Sequence, residues 1–490
     1  MEKRECINDS MLSVFWLIAV CCLAGSALAQ SPVLLTVANS RGFAIPSDFS
    51  GLSFETGSQR PNRHGVSGNL FSATNAQLVT LFQNLGLRNL RVGGGSVEGK
   101  RGAFLNRTDI DNLFAFAQAA GVKVIYSLPL LDGNRATNAA TAQYIWQRYQ
   151  PLLDCFAIGN EPDWNSYHYP PFGTGPDPAI TNYASYLACW KNCAAAIINA
   201  APGATFAGPD TGSYSTSTYM NGQSWTQHFA EDERRSGVMK LVTQHFYVGG
   251  NPGSTTAQQA IDNMLSLGWE TVTNQWLYNH NLACVVADGL PYRLTESNDY
   301  LNGVTNASNA FASALWALDY MHWWAAHRCA GVNFHNKPWL KTDTVYLDSS
   351  GNYQINPKGY GIKAFDLGGH GYVEPMTMTN DDELNLTAYA IGTTTNLHVT
   401  IINKEHGSGA RDAAVTILSE AFTIGNVAAI FLTAPNGDIG ATSGVKLGGS
   451  VITNNAEWLG RWGILNQFSN SQCRVTVPAA CAAIVTISAH

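Results

Sequence analysis

The sequence has little charge, and its basic residues are scarce. Only 13% of its 490 residues are charged, and 28 Lys and Arg stand against 35 Asp and Glu without forming clusters. A protein that grips nucleic acid or another long polyanion needs a basic patch or stripe. The composition therefore excludes nucleic acid as a partner, and the 45% apolar fraction supports a large folded core.

Long apolar runs are missing after residue 29. Residues 11–29 form one such run, which ends in Ala27-Leu28-Ala29 and follows Lys3 and Arg4. This pattern is typical of a signal peptide cleaved before Gln30, although an uncleaved membrane anchor is the alternative. The sequence thus predicts a secreted protein, extracellular or periplasmic, with no membrane contact after cleavage. Cleavage removes two basic and three acidic residues and changes the net charge from −7 to −6.

Cofactor and metal motifs are also missing. The Gly93-Gly94-Gly95 turn is not followed by the Lys-Ser/Thr of a phosphate loop, and no dinucleotide fingerprint occurs. No His/Cys spacing matches a zinc site. We expect neither cofactor nor metal. Seven cysteines follow residue 29, so at least one is unpaired. Cys473 and Cys481 flank a predicted strand-turn-strand and are the best disulfide candidates, and buried free thiols are expected for most of the others.

Strands and helices alternate along residues 47–365. The predicted strands begin with Gly51–Glu55 and end with Val332–Phe334, and the seventh unit is assigned strand runs at 283–286 and Tyr292–Thr295. Such alternation predicts an α/β fold, a parallel (β/α)₈ TIM barrel. Residues 366–490 instead carry short Thr-, Val- and Ile-rich runs, which predict an accessory antiparallel β-sandwich. The N-terminal strands within 30–46 (Val33–Val37 and Phe43–Ile45) are expected to join it.

Two predicted barrel strands end in a glutamate. One apolar strand ends at Asn160-Glu161-Pro162, and another ends at Thr295-Glu296-Ser297, with 135 residues between the two carboxyl groups. In a barrel, chemistry lies at the C-terminal ends of the strands, and this spacing corresponds to about three to four βα units of roughly 30–40 residues. A carboxyl group against apolar neighbours has a raised pKa, which suits a general acid. An ordinary strand-ending Glu is the alternative for either residue alone, but two converging carboxyls suit glycosidic bond hydrolysis.

These two motifs resemble the acid/base and nucleophile of clan A retaining glycosidases. Within the clan, the chain most resembles glycoside hydrolase family 79, the β-glucuronidases and heparanase-like enzymes. The likeness covers nearly the whole chain after the first 30 residues. It is supported by four further stretches: Gly51–Glu55, Leu90–Gly94, Gln244–Tyr247 and Val332–His335.

The resemblance implies roles for four residues. Glu161 would be the acid/base and Glu296 the nucleophile of a double displacement that retains configuration. Asn160 would bind the sugar 2-hydroxyl, and Tyr247 would hold Glu296 ionised through a hydrogen bond. A strand cap is the alternative for Asn160, and core packing is the alternative for Tyr247.

Substrate recognition is expected from other strand ends. Tyr300 and the turn after His335 would bind the carboxylate of a uronic acid, and Glu55 would bind sugar hydroxyls. Arg91 is expected to brace the catalytic carboxylates from below. For His335, a satisfied strand-end histidine is the alternative.

The sequence thus favours a monomeric, exo-acting β-glucuronidase that removes terminal glucuronic or 4-O-methylglucuronic acid from a glycan or glycoconjugate. The sparse basic residues argue against a heparanase-like endo-glucuronidase. Other clan A activities, such as an arabinofuranosidase or a xylan-directed glycosidase, remain alternatives. So do a non-catalytic glycan-binding barrel and a wall protein that binds through its sandwich.

Overall fold

A computed structural model describes most of the chain after the predicted signal peptide. The predicted signal peptide, residues 1–29, lies outside the described residues. Within the described part, no helix is long and apolar enough to cross a membrane. The described residues are 31–63, 65–98, 105–130, 135–165, 180–212, 222–420 and 423–489.

Eight parallel strands close into a barrel. After a first strand outside it, β1 (Val33–Val37), the barrel strands are β2 (Ser50–Glu55), β3 (Asn89–Gly93), β4 (Lys123–Leu128), β5 (Leu153–Ile158), β6 (Phe206–Thr211), β7 (Met239–Tyr247), β8 (Tyr292–Asn298) and β9 (Cys329–His335). Nearly every residue of these strands is buried, because side chains fill the interior and helices cover the outside. The predicted TIM barrel is confirmed.

Helices connect the strands, and several begin with a capping box, in which Asn106, Asn182, Ser224 or Thr256 caps the first turn. The strand predicted at 283–286 is wrong: these residues are helical. A short apolar run cannot be told from a buried helix by its periodicity. The helices are α1 (Ala76–Asn84), α2 (Arg107–Ala120), α3 (Arg135–Tyr149), α4 (Pro162–Asn165), α5 (Tyr183–Ala200), α6 (Trp225–Glu233), α7 (Ala257–Leu265), α8 (Gln275–Leu277), α9 (Ala283–Ala287), α10 (Phe311–Ala326) and α11 (Pro357–Gly368).

The remaining strands form a hairpin and two packed sheets. The hairpin pairs β10 (Val345–Leu347) with β11 (Tyr353–Ile355). The strands of the two sheets, besides β1, are β12 (Tyr372–Val373), β13 (Met376–Thr379), β14 (Leu386–Gly392), β15 (Asn396–Asn403), β16 (Ala413–Ser419), β17 (Ile424–Thr433), β18 (Lys446–Leu447), β19 (Gly463–Ile464), β20 (Gln472–Val477) and β21 (Cys481–Ala489). One sheet has the order β13-β1-β16-β20 and the other β12-β14-β15-β21-β17-β18, with β19 beside β17. Their facing side chains share one apolar core.

Three details of the sandwich differ from the sequence predictions. The N-terminal strand β1 runs parallel to β16, whereas the other pairings of these two sheets are antiparallel. Phe43–Ile45 makes only a single bridge, at Ala44. Cys473 and Cys481 are free and buried. They were expected on one hairpin, but β20 and β21 belong to different sheets.

The sandwich contacts the barrel through helix α10, which is buried along almost its whole length. Asp319 on this helix pairs with Lys404 at 2.6 Å and accepts hydrogen bonds from the hydroxyls of Thr387 and Tyr389. Glu270 lies 3.6 Å from the same ammonium group. A buried, hydrogen-bonded charge cluster therefore fixes the two domains together.

Candidate active site

Polar and charged side chains collect at the C-terminal end of the barrel, which we call the barrel mouth. Parallel strands bring their C-terminal ends to one edge, so residues far apart in sequence meet there. The cluster consists of Glu55, Arg91, Asn160, Glu161, Asp210, His245, Tyr247, Glu296 and His335.

Arg91 contacts Glu296, one of the two carboxylates that the sequence expected it to brace. Its buried guanidinium donates to Glu296 Oε2 at 2.8 Å, Ser53 Oγ at 3.2 Å, Asn160 Oδ1 at 2.7 Å and Asp210 Oδ2 at 2.9 Å. Burial alone would lower the pKa of Arg91, but the charges of its two carboxylate partners raise it. A planar guanidinium can hold four acceptors at fixed positions, which an ammonium group could not.

Glu296 is held as an anion. Tyr247 donates its hydroxyl to Oε1 at 2.7 Å, and the imidazoles of His335 and His245 lie 3.6 and 3.9 Å from Oε2. Burial favours the neutral acid, but the charges of His335, His245 and Arg91 hold the pKa of Glu296 well below its ordinary value. Burial and the nearby Glu296 charge raise the pKa of Tyr247, so its phenol stays a donor.

Glu161 is more open to solvent than Glu296. Its side chain is 27% exposed against 9%, and oxygen atoms of the two carboxyl groups lie within 4.8 Å of each other. Its backbone has a φ of +46°, a left-handed conformation that is strained for a residue other than glycine. Gly212 faces it, and a Cβ there would lie 2.6 Å from the Glu161 carboxyl carbon. Only glycine leaves room for this carboxylate.

His245 and Asp210 belong to the site, although sequence reasoning missed both roles. His245 Nδ1 lies 3.0 Å from Glu161 Oε1, and Nε2 lies 3.6 Å from Asp210 Oδ1. Burial lowers the pKa of His245, but the Glu296 charge and the two other carboxylates raise it to about 9. One signal was available for His245: it lies two residues before Tyr247, hence on the same face of β7.

Glu55 closes the opposite side of the mouth. It accepts the Ser96 backbone N–H at 2.9 Å and lies 3.5 Å from His335 Nε2. Burial would raise the pKa of Glu55, but the hydrogen bond and charge of His335 lower it to about 2. The glycine triplet permits this contact, because Gly94 has a φ of +70° and a Cβ there would lie 2.6 Å from the carboxylate.

Tyr300 does not join the cluster. Its ring is buried against Trp269, and its hydroxyl accepts a hydrogen bond from Asn263 on α7 at 2.9 Å. The loop after β8 therefore turns this side chain towards the outer helices. Its expected contact with a sugar carboxylate is not what the structure shows.

Three of the mouth residues could also hold a metal ion. Glu161, His245 and Glu296 each place one donor atom within 4.8 Å of the others. Carboxylate and imidazole are common ligands of Zn²⁺. However, Glu296 is already tied to Arg91 and Tyr247. A cation there would compete with a guanidinium group for the same carboxylate.

Comparisons with known proteins give the fold. No model of a known protein family matches the chain, and no curated protein matches its sequence. A 4-O-α-L-rhamnosyl-β-D-glucuronidase from Fusarium oxysporum 12S is similar in structure, with a TM-score of 0.69 and 16% identity over 92% of this chain and 100% of that one. A GH51 arabinofuranosidase from Xanthomonas axonopodis pv. citri is similar in structure with a TM-score of 0.63 and 12% identity, over 93% of this chain and 100% of that one.

A GH39 enzyme from the same Xanthomonas gives a TM-score of 0.59 and 13% identity over 96% of this chain and 99% of that chain. All three are clan A glycoside hydrolases. Identities this low establish the fold only. The chain has the fold of clan A glycoside hydrolases, an eight-stranded barrel with accessory antiparallel sheets.

Proposed function

We propose that this protein is a retaining glycoside hydrolase. The observation that carries the proposal is the pair of carboxyl groups whose oxygens lie within 4.8 Å of each other at the barrel mouth. Retaining enzymes hold their two carboxyls about 5 to 5.5 Å apart, whereas inverting enzymes need about 6.5 to 9.5 Å to admit a water molecule. The short separation favours a covalent intermediate.

The two environments assign the roles. Glu296 is buried, ionised and held by Arg91 and Tyr247, which suits a nucleophile. Glu161 is the more exposed of the two, which suits a group that exchanges protons in each half of the reaction. Glu296 attacks the anomeric carbon while Glu161 gives its proton to the departing glycosidic oxygen. Glu161 then removes a proton from water, which attacks the anomeric carbon and releases Glu296.

Asn160 directly precedes the acid/base Glu161 in sequence. Arg91 fixes its side-chain oxygen at 2.7 Å, and this holds the amide next to Glu161. We assign Asn160 to the sugar 2-hydroxyl, where a hydrogen bond that strengthens in the transition state contributes to catalysis.

For the substrate we propose a terminal β-glucuronide or 4-O-methylglucuronide, cleaved by exo action outside the cell. One protein with the same fold is named as a rhamnosyl-β-D-glucuronidase. Arg91, His245 and His335 at the mouth already face its own carboxylates, so the proposal of a uronic acid is supported by this likeness and not by a local positive charge. An arabinofuranosidase is the second candidate, because four other proteins of this fold carry that name.

A panel of aryl glycosides tests the proposal. The wild-type protein is expected to cleave nitrophenyl β-glucuronide faster than the β-glucoside, β-xyloside and α-L-arabinofuranoside. NMR of the glucuronide reaction should show the β-anomer first, and EDTA should have no effect.

Each other outcome has a distinct meaning. Initial release of the α-anomer would rule out double displacement. Faster cleavage of the arabinofuranoside would favour the second candidate, and inhibition by EDTA would favour a metal held by Glu161, His245 and Glu296. If none of the four aryl glycosides is cleaved, the proposed activity is contradicted.

A further inference from the structure

Asp210 occupies a strained position at the end of β6. Its φ is +54°, and its carboxylate is fully buried. The carboxylate accepts hydrogen bonds from Thr295 Oγ1 at 2.5 Å and Arg91 at 2.9 Å, while its backbone N–H donates to Thr243 Oγ1 at 2.9 Å. Non-glycine residues keep such a conformation only where the surroundings determine it. Nothing in the reaction described above uses Asp210 directly.

Asp210 reaches Glu161 by two routes. Its backbone carbonyl accepts the Glu161 N–H at 2.8 Å. Its side chain lies 3.6 Å from His245 Nε2, and the other ring nitrogen, Nδ1, lies 3.0 Å from Glu161 Oε1. One buried imidazole therefore lies between two carboxylates, within hydrogen-bond distance of Glu161 and within ion-pair distance of Asp210.

His245 also lies between the two catalytic groups. Its Nδ1 is 3.0 Å from Glu161 and 3.9 Å from Glu296. Two carboxylates this close repel each other unless a proton or cation separates them. The imidazole faces Glu161 after β5, Asp210 on β6, Glu296 on β8 and, at the base, Arg91 on β3. Three anions and one cation surround it.

We propose that Asp210 and His245 are a positioning pair for the acid/base. Asp210 fixes the Glu161 backbone and orients His245, and His245 holds the Glu161 carboxyl on the leaving-group side while Glu296 attacks. This inference rests on the proposed glycosidase function. Both residues are proposed to act through Glu161, so the pair should matter most where the leaving group needs a proton.

Asp210→Asn tests the pair, because it keeps the volume and the backbone contact and removes the negative charge. We would measure kcat/KM for aryl glycosides with leaving groups from very acidic to weakly acidic phenols. Acid catalysis contributes about 10²–10⁴-fold, so we expect a loss of roughly 10- to 100-fold with the poorest leaving groups and below about threefold with the best. His245→Gln should show the same pattern.

Asp154→Asn is the matched control. Asp154 is another buried barrel carboxylate, but it pairs with Lys240 and Asn89 near the start of β5, away from the mouth. This variant should lose stability without any change in leaving-group dependence. If Asp210→Asn does not fold, His245→Gln carries the test alone.

Equal losses for all leaving groups in Asp210→Asn and His245→Gln would overturn the pairing, because a structural defect does not discriminate among them. If the wild-type protein cleaves no aryl glycoside, the proposed function falls, and the pair falls with it. The two failures are distinguished by the wild-type measurement.

Discussion

Replacing Arg91 by Met should separate the charge of this residue from its volume. The guanidinium is fully buried and holds two carboxylates, Asp210 and Glu296, together with two neutral acceptors. Breaking a buried ion pair by removing one partner costs about 3–5 kcal/mol, because the other charge stays buried. His245 still faces both carboxylates, so we expect a loss within this range at pH 7 rather than twice as much.

The loss should depend on pH with a defined sign. In the native protein, the pKa values of Asp210 and Glu296 lie below their ordinary values, against the effect of burial, and Arg91 is among the causes for both. The stability that they contribute is present above about pH 4, the ordinary carboxyl pKa, and is lost as the pH falls. In Arg91→Met these two carboxylates have lost their cation, so the folded variant becomes more stable when they take up protons. The difference between the two proteins should therefore shrink from pH 7 towards pH 4.

Urea unfolding at pH 7, 5.5 and 4 measures this difference. Arg293→Met is the matched control, because Arg293 is also buried but is held by Asn333 and backbone carbonyls, with Asp48 3.5 Å away and 31% exposed. The loss of unfolding free energy in Arg293→Met should hardly vary with pH. A cost for Arg91→Met below about 1 kcal/mol at pH 7, or one independent of pH, would refute the buried-pair reasoning.

Four other outcomes follow from the same contacts. Glu296→Gln should abolish turnover while circular dichroism stays unchanged, and Glu161→Ala should spare activated aryl glycosides and be rescued by azide. Gly212→Ala should lower kcat without unfolding the protein, because the new methyl group lies 2.6 Å from the Glu161 carboxyl carbon. Burial and then Asp319 raise the pKa of Glu270 to about 9, which lowers stability as the pH rises from about 4 to 9. Glu270→Gln should therefore stabilise the protein more at pH 8 than at pH 5 in thermal unfolding.

Much of this architecture could be predicted from the sequence. Glu161 follows the fourth barrel strand and Glu296 lies on the seventh, as their spacing indicated, and Tyr247 donates to Glu296. These positions could be predicted because a barrel places the C-terminal ends of all its strands at one mouth. A polar residue that ends an apolar strand must therefore lie at that mouth. The alternation of strands and helices therefore predicted the barrel and the end of the barrel at which these residues lie.

The missed features depend on contacts between distant segments. Asp210 follows Gly208-Pro209, a sequence that reads as a turn, and only the assembled barrel shows its contacts with Arg91 and Thr295. The predicted role of Tyr300 was not met for the converse reason. Tyr300 lies only four residues after Glu296 in sequence, but the loop turns its ring towards α7. Proximity along the chain says little about direction once a strand has ended.

The alternation of charge around the mouth has a consequence for any pH profile. Glu55, His335, Glu296, His245 and Asp210 follow one another with separations of 3.5, 3.6, 3.9 and 3.6 Å. The pKa values of Glu55, Glu296, His245 and Asp210 each depend on a charged neighbour in this series, so these groups lose their protons in macroscopic steps. Glu161 joins it at 3.0 Å through His245. The acid and base limbs of the activity profile will therefore belong to this network rather than to Glu296 and Glu161 alone. Substituting Asp210, whose carboxylate is fully buried, should therefore still move one limb of the profile.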